Sequence, residues 1–410
     1  MRALYTVALR LALPFILLRL WWRGRREPGY REHVHERFGM YAGNKPQKAI
    51  WLHAVSVGEA RAAAPLVREV QRLAPDHVLL MTCTTAAGRA TVKQVYADSV
   101  LVTFLPYDYP ETVAAFLEHF RPRLGVLMET ELWPNLLAAC ARSGVPVVLA
   151  NARMSDKSAR GYRRWRGLTA PAIRSLAAVC AQSEADAARL RELGAPRVIV
   201  TGNLKFDVAL DEAQFERGRE WKNRVARPVL LLASTRDGEE KLLLEAIGEA
   251  DFLTVVVPRH PQRFDEVAAL ADARKTKVVL PSASDRVYLG DTMGEMAFYY
   301  GGADVAIIGG SFMPLGGQNL IEALAAGVPV VLGPSMYNFA EATRLALEAG
   351  AAMQESDAAA AVRTARALLS NPARRAAMAT AGKKLCSAHR GATSRHLEVL
   401  AGALKERARG

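Results

Sequence analysis

Three acids and a lysine stand where short hydrophobic runs give way to polar residues. In "WLHAVSVGEARAA" (51–63) a strand-like run passes into a helix-like one, with Gly58 and Glu59 between them. A nucleotide-binding turn would place glycines here for a phosphate, and a carboxylate repels such a ligand. Ser56-x-x-Glu59 also fits a capping box, in which the acid satisfies the Ser56 backbone N–H. "METELWPN" (128–135) puts Glu129 and Glu131 at the end of another run, on opposite faces if the strand continues. Burying an acid is costly without a partner, so one of the pair is expected to have a chemical task or a cation. "GNLKFD" (202–207) ends a further run with Lys205.

The second half of the chain carries residues suited to an anion. "IIGGSFMPLGGQNLIEALAAG" (307–327) reads as strand, glycine-rich loop and helix. Gly309-Gly310 and Gly316-Gly317 let a backbone approach a ligand closely. A helix starting near Asn319 offers free N–H groups and a positive dipole end to a phosphate. Glu322, in its first turn, either accepts from ribose hydroxyls or merely complements that dipole. "ASTRDGEE" (233–240) sets Ser234, Thr235 and Arg236 at a turn, "VPRHPQRF" (257–264) puts Arg259 and His260 after a strand, and "DTMGEM" (291–296) opens a helix. Cations and hydroxyls gathered at several strand-to-helix junctions suit one anionic ligand. No D-x-D occurs, and the histidines lack ligand spacing on a helix, so no metal is expected.

Those positions need elements to hold them. Candidate strands are Ile50–Val55, Val78–Thr82, Leu101–Leu105, Leu124–Met128, Val145–Ala150, Val179–Gln182 and Val198–Thr201, then Val229–Ala233, Thr254–Val257, Lys277–Leu280, Val305–Ile308 and Val328–Leu332. Helical segments rich in Ala, Leu, Arg and Glu lie between them, which implies parallel sheets covered on both faces. The strands are too many for one compact sheet. An internal echo also divides the chain: "PNLLAACARSGVPVVLAN" (134–151) resembles "QNLIEALAAGVPVVLGP" (318–334), although αβ units often look alike. The expected fold class is therefore α/β, with two Rossmann-like domains binding ligands at the carboxyl ends of their strands. The join is placed at 208–227, rich in charge and poor in β-branched residues.

With 410 residues there is room for two domains, and a formal charge of +13 implies an acidic partner. Four scattered cysteines without CxxC spacing suit a reducing compartment. Ala3 to Trp22 is apolar over about one bilayer crossing, interrupted by Arg10 and Arg19 and followed by Arg23, Arg25, Arg26 and Arg31. The readings are a membrane anchor with the remainder in the cytoplasm, a helix lying in the interface, or a cleaved signal peptide. The last lacks a small-residue cleavage site. "NARMSDKSARGYRRWRG" (151–167) interleaves five arginines and a lysine with Tyr162 and Trp165, which fits either a solvated basic helix or a phosphorylated acceptor at a membrane face.

Taken in order, WLHAVSVGE, METELWPN, NARMSDKSARGY, GNLKFD, ASTRDGEE, VPRHPQRF and GGSFMPLGGQNLIE resemble the 3-deoxy-D-manno-octulosonic acid (Kdo) transferases of lipopolysaccharide synthesis. The likeness covers about 28–340, and "HVHERFG" after the N-terminal stretch adds to it. One departure is Arg236, where "ASTHxGEE" would have histidine. The resemblance implies a glycosyltransferase of GT-B type, two Rossmann-like domains facing a central cleft, with an N-terminal membrane-anchor helix in the cell inner membrane and the catalytic domains on the cytoplasmic side. It implies transfer of Kdo from CMP-Kdo to a lipid A precursor, inverting and without metal or other cofactor. Glu59 would be the general base, with Glu129 and Lys205 stabilising the transition state. Pro258, Arg259, His260, Met293, Gly294, Glu295, Asn319, Leu320, Ile321 and Glu322 would hold CMP. The division that follows is 1–27 anchor, 28–207 acceptor domain, 208–227 linker, 228–385 donor domain and 386–410 C-terminal helix. The expected partners are the donor, the lipid acceptor and an anionic membrane surface, with no nucleic acid. A sugar-nucleotide epimerase shares the plan but has no use for an anchor or the basic 153–166 segment. A nucleic-acid-binding protein would explain the charge but not the strand-end acids.

Overall fold

A computed structural model describes residues 1–43, 45–46, 48–207, 210–271, 274–275 and 285–409. The chain divides into two compact units, residues 1–207 with 391–410, and residues 208–390.

The first unit is built on a parallel sheet of β1 (Ala49–His53), β2 (Val78–Cys83), β3 (Leu101–Phe104), β4 (Pro122–Met128), β5 (Val147–Ala152), β6 (Ala178–Ala181) and β7 (Val198–Val200). Their spatial order is β3-β2-β1-β4-β5-β6-β7. Side chains alternate across the pleat. Ile50 and Leu52 therefore pack with Leu66, Val70 and Leu400 on one face, while Trp51 packs with Phe116 and Leu136 on the other. Both faces are covered by helices, which explains why the strands read as continuous apolar runs.

The second unit repeats the scheme with β8 (Val229–Thr235), β9 (Leu253–Pro258), β10 (Arg274–Lys275), β11 (Val287–Leu289), β12 (Val305–Ile308), β13 (Val330–Leu332) and β14 (Ala352–Gln354). Their order is β10-β11-β9-β8-β12-β13-β14. Leu230, Leu232, Val256 and Ile307 pack under Leu243, Val362 and Leu368. The echoed segments occupy equivalent places: helix Pro134–Arg142 joins β4 to β5, and helix Ile321–Ala326 joins β12 to β13.

Several expectations change. Strands β11 and β14 were not anticipated; both are only three residues long. The expected strand Lys277–Leu280 lies outside the described residues. The 208–227 segment is no linker over most of its length: Glu212–Val225 is a helix of the second unit, with Gly218 and Trp221 buried. A Cβ on Gly218 would lie 2.0 Å from Phe298 O, so glycine lets this helix close on Met296–Gly301. The tail expected as one helix, 386–410, is the end of Pro372–His389 plus a separate helix, Ala392–Arg409, and the latter belongs to the first unit. The four cysteines are buried and unpaired.

The N-terminal helix Arg2–Arg26 also belongs to the first unit, and it is long and apolar enough to cross a membrane. One face meets that unit. Asn135 Nδ2 donates to Thr6 Oγ1 (3.0 Å), Tyr109 Oη donates to the Leu9 carbonyl (2.9 Å), and Arg10 pairs with Glu111 (3.0 Å). Leu4, Val7, Leu11, Phe15, Leu18 and Trp22 are exposed. Their spacing of three or four residues puts them on a single stripe.

Candidate active site

In the first unit, β1 ends at His53 and helix Val57–Ala62 begins behind an N-cap at Ser56. Ser56 Oγ accepts from the Glu59 N–H (3.3 Å) and donates to Glu59 Oε1 (2.9 Å). The other carboxylate oxygen accepts from the Val55 N–H (2.7 Å), not from Ser56 as a standard capping box would have it. Each oxygen keeps a lone pair beyond these bonds. Glu59 is buried, and that burial, with the neighbouring Glu129 and then Glu131 charges, pushes its carboxyl up to about 7.

Glu129 and Glu131 were expected on opposite faces of a continuing strand. The strand stops instead at Met128, and Glu129 turns into the left-handed region at φ +58°. A non-glycine residue there is strained by roughly 1–3 kcal/mol. Both acids therefore bear on Glu59. Glu131 is itself pushed up by burial, partly offset by the nearby Trp133 indole. Lys205 sits on the 3-10 turn Leu204–Phe206 rather than at a strand end, and its Nζ lies 3.3 Å from Glu129 Oε1. Glu59, Glu129 and Lys205 thus form one neighbourhood: a protonatable carboxyl beside an ion pair.

In the second unit a cavity of about 430 Å³ opens at the carboxyl ends of β8 and β9. Of the residues expected to hold a nucleotide, Pro258, Arg259, Met293, Gly294 and Glu322 line it. His260, Glu295, Asn319, Leu320 and Ile321 do not. Leu320 and Ile321 are buried in the core, so only their backbone is left to meet a ligand. Asn319 works through its neighbours: its Nδ2 donates to Glu322 Oε1 (2.9 Å) and its Oδ1 accepts from the Ile321 N–H (3.0 Å). Helix Ile321–Ala326 accordingly begins two residues later than expected. Burial raises the Glu322 carboxyl, offset by the Asn319 amide and the Arg259 charge. His260 is lowered by burial and by Arg236, Arg259 and Arg263 around it, so this rim is cationic. Glu295 instead accepts from Thr292 Oγ1.

Asp211, Gln214, Ser234 and Thr292 also line the cavity and were missed as ligands. Asp211 and Gln214 fell in the stretch taken for a linker; Gln214 Nε2 donates to the Gly294 carbonyl (3.2 Å). Ser234 had been noted at its turn and has φ +56°. Glu239 was missed too. It is fully buried and accepts from the N–H groups of Arg236 (2.9 Å), Gly310 (2.5 Å) and Phe312 (2.8 Å). It draws the glycine loop onto the end of β8, where a Cβ on Gly309 would lie 2.5 Å from Thr235 Cα. Arg263 is held by Glu240 (2.7 Å), Glu266 (3.1 Å) and Asp237 (3.3 Å), which removes it from ligand duty.

Among the described residues, His33, His35 and Glu36 bring donor atoms within 4.8 Å of one another. The Glu36 carboxylate is already engaged by the two terminal Arg89 nitrogens and the Phe104 N–H (2.8 Å), which argues against a metal there.

The sequence matches the profile of the family described as 3-deoxy-D-manno-octulosonic-acid transferase (kdotransferase) over residues 32–208, and that of glycosyl transferases group 1 over 282–385. It is 46% identical to a 3-deoxy-D-manno-octulosonic acid transferase of Bordetella pertussis, covering 97% of this chain and 98% of that protein. A Haemophilus influenzae protein of the same description is 34% identical, again over 97% and 98%. Among solved structures, a glycosyltransferase from Rickettsia africae is similar at TM-score 0.53 and 14% identity, over 89% of this chain and 100% of that one. A UDP-GlcNAc 2-epimerase from Neisseria meningitidis scores 0.54 at 16% identity, over 86% and 99%. At such identities these two speak for the fold alone.

Proposed function

The chain belongs to the Kdo transferase family of glycosyltransferases, and from that premise we propose that it moves Kdo from CMP-Kdo to the glucosamine disaccharide of the lipid A precursor lipid IVA, with inversion. The observation that carries this reading is Glu59, a buried carboxyl raised to about 7 beside Glu129 and Lys205. A sugar hydroxyl is a poor nucleophile until its proton is taken in the transition state, and a base poised near working pH is suited to take it. The acceptor oxygen forms its bond to the anomeric carbon, its proton passes to Glu59, and the bond to the CMP phosphate breaks. Glu129 and Lys205 balance the charge that develops on the sugar. Arg259 and the N–H groups before Ile321 receive the charge on the leaving phosphate, with Glu322, Met293 and Gly294 holding the nucleotide. With Glu59 as the base and Glu129 held in its pair with Lys205, a single displacement is expected.

The acceptor is a lipid, and the N-terminal helix supplies a means to meet it. Its polar contacts with the first unit and its exposed apolar stripe favour a helix lying in the interface over one that crosses. The arginines after the apolar stretch favour the cytoplasmic face of the inner membrane.

The test is mass spectrometry of the product from CMP-Kdo and purified lipid IVA, with EDTA present. Addition of Kdo mass under EDTA supports the reading. Strict dependence on added Mg²⁺ would remove the account of the leaving group. Thermal stabilisation by UDP but not by CMP would turn the assignment toward the epimerase.

A further inference from the structure

Asn151 lies within β5 where its register to β6 shifts, and it holds φ +51°. A bulge of this kind takes backbone groups out of the ladder, and each buried group then needs a new partner. Both backbone groups find one, as does the side-chain oxygen, while the buried Nδ2 has no partner among the described residues. The Asn151 N–H donates to His396 Nε2 (2.9 Å), its carbonyl accepts from Gln182 Nε2 (2.8 Å), and its Oδ1 accepts from the Leu204 N–H (3.0 Å). Gln182 Oε1 accepts in turn from Asn203 Nδ2 (2.9 Å), and Asn203 Oδ1 accepts from the Lys205 N–H (3.0 Å). The turn that carries Lys205 therefore hangs from Asn151 by two routes, and Asn151 hangs from His396.

His396 comes from helix Ala392–Arg409 and is fully buried. Its tautomer is set by its partners. Asn151 offers only an N–H and Ala392 only a carbonyl, 2.7 Å from Nδ1, so Nδ1 carries the proton and Nε2 accepts. Burial pushes the ring down to about 4, which keeps that arrangement through neutral pH. The same helix grips the segment elsewhere: Asp207 accepts from the Gly391 and Thr393 N–H groups, and Arg395 Nε donates to the Thr201 carbonyl (2.9 Å). Bulk alone does not require a histidine here, because an apolar side chain of similar volume would fill the site without an acceptor to satisfy.

We propose that His396 is a positioning residue for transfer: through Asn151 it fixes the turn 203–205 and so holds Lys205 against Glu129. The inference rests on the reading of that ion pair as part of the reacting centre. His396 itself touches no substrate.

Three variants test it in the full-length protein. His396→Leu keeps bulk and removes the acceptor. His396→Gln returns an acceptor and a donor. Asn151→Gly accepts the left-handed backbone and keeps the N–H and carbonyl, but removes the side chain and with it the Oδ1 acceptor for the Leu204 N–H. Small misplacement of a reacting group costs up to about a hundredfold. The kcat of His396→Leu and of Asn151→Gly should therefore fall roughly ten- to a hundredfold, with CMP affinity and acceptor KM unchanged. His396→Gln should recover most of the loss. In a Lys205→Ala background His396→Leu should lower kcat little further, because both changes act through one group. A second readout needs no turnover. Labelling of Lys205 by an amine-reactive ester, followed by peptide mass spectrometry, should speed up several-fold in His396→Leu, with exposed Lys93 unchanged. Unchanged labelling and kcat, even with a lower melting temperature, would overturn the proposal, as would a fully additive loss beside Lys205→Ala. If the parent protein transfers no Kdo, the assigned activity fails while the labelling still decides the link to Lys205.

Discussion

β1 and β8 come first in chain order in their sheets, and each leads into a helix whose start carries a glycine and a glutamate, Gly58-Glu59 and Gly238-Glu239. Each acid accepts a backbone N–H from a few residues upstream, Val55 in one case and Arg236 in the other. What differs is the end of the adjacent strand. β12 is followed by Gly309-Gly310, and the loop turns the Gly310 and Phe312 N–H groups onto Glu239. β4 is followed by Glu129, whose charge helps to push Glu59 up to about 7. One position in one fold thus yields a latch where amides converge and a candidate base where a second acid converges. The strand-end acid takes its role from its neighbour, not from its own type.

Replacing each acid by its amide should break this pair in opposite directions. The largest effect is expected on turnover. Glu59→Gln keeps size and most hydrogen bonds but accepts no proton, so kcat should fall by about 10²-fold or more. Near-normal turnover would leave Glu59 a cap only. Its stability should move the other way. The Glu59 carboxyl is raised in the folded protein, so between about 4.5 and 7 the folded state holds a proton that the unfolded chain has lost. The parent therefore loses stability across that window and the deficit stays constant above it. Glu59→Gln should melt higher than the parent at pH 8, by on the order of 1 kcal/mol, and equally with it near pH 4.

Glu239→Gln should do the reverse. The amide would turn its NH2 toward a backbone N–H, leaving at least one buried donor unsatisfied at about 1–3 kcal/mol. The melting of the second unit should drop at every pH, while turnover at a temperature well below the transition stays near that of the parent. A turnover loss as large as that of Glu59→Gln, with no thermal change, would mean that Glu239 takes part in the chemistry.

A smaller effect should sharpen the role of the neighbouring acid. Glu129→Gln removes a charge that raises Glu59 and leaves Lys205 unpaired nearby. Both changes favour the Glu59 carboxylate. The acidic limb of the kcat/KM profile, expected near 7 in the parent, should move to lower pH by roughly one unit. If it stays in place, the two carboxyls are not coupled.

Much of this arrangement was legible in residue order. Alternation of apolar runs and helices gives two parallel sheets, and the echoed segments fall between equivalent strands. The residues singled out at 59, 129 and 205 lie together because parallel strands in one sheet bring their carboxyl ends to one edge. The misses have physical causes. Helix Glu212–Val225 hides its buried Gly218 and Trp221 among charges, so composition read as linker. The opposed faces predicted for Glu129 and Glu131 assumed a continuing strand, and a positive φ at Glu129 ends it. Asn151 and His396 meet across 245 positions of sequence, and no local period encodes a polar pair of that kind. Glu239 passed unnoticed because a Gly-Glu turn at a helix start looks the same whether or not distant amides close on it.

The smallest expected effect concerns where the two units meet the outside world. Helix Asp156–Arg164, in the first unit, carries exposed Arg160 and Arg164, and exposed Trp165 follows it. Arg163 is paired with Glu192 (2.5 Å), so its charge is partly spent within the protein. If the first unit presents this face to an anionic membrane, each free arginine contributes about 1 kcal/mol, a factor of roughly five in binding. Arg160→Gln and Arg164→Gln should each weaken sedimentation of the full-length protein with vesicles containing anionic lipid by about that factor. Arg163→Gln should weaken it less. Neutral vesicles should show no difference, and high salt should erase it, because exposed charges are screened within a Debye length. CMP affinity should not change in any of the three, since the cavity lined by Arg259 and Glu322 is built entirely by the second unit. A parallel fall in CMP affinity would place the basic helix in donor binding, and the assignment of base and acceptor to one unit and nucleotide to the other would have to be abandoned.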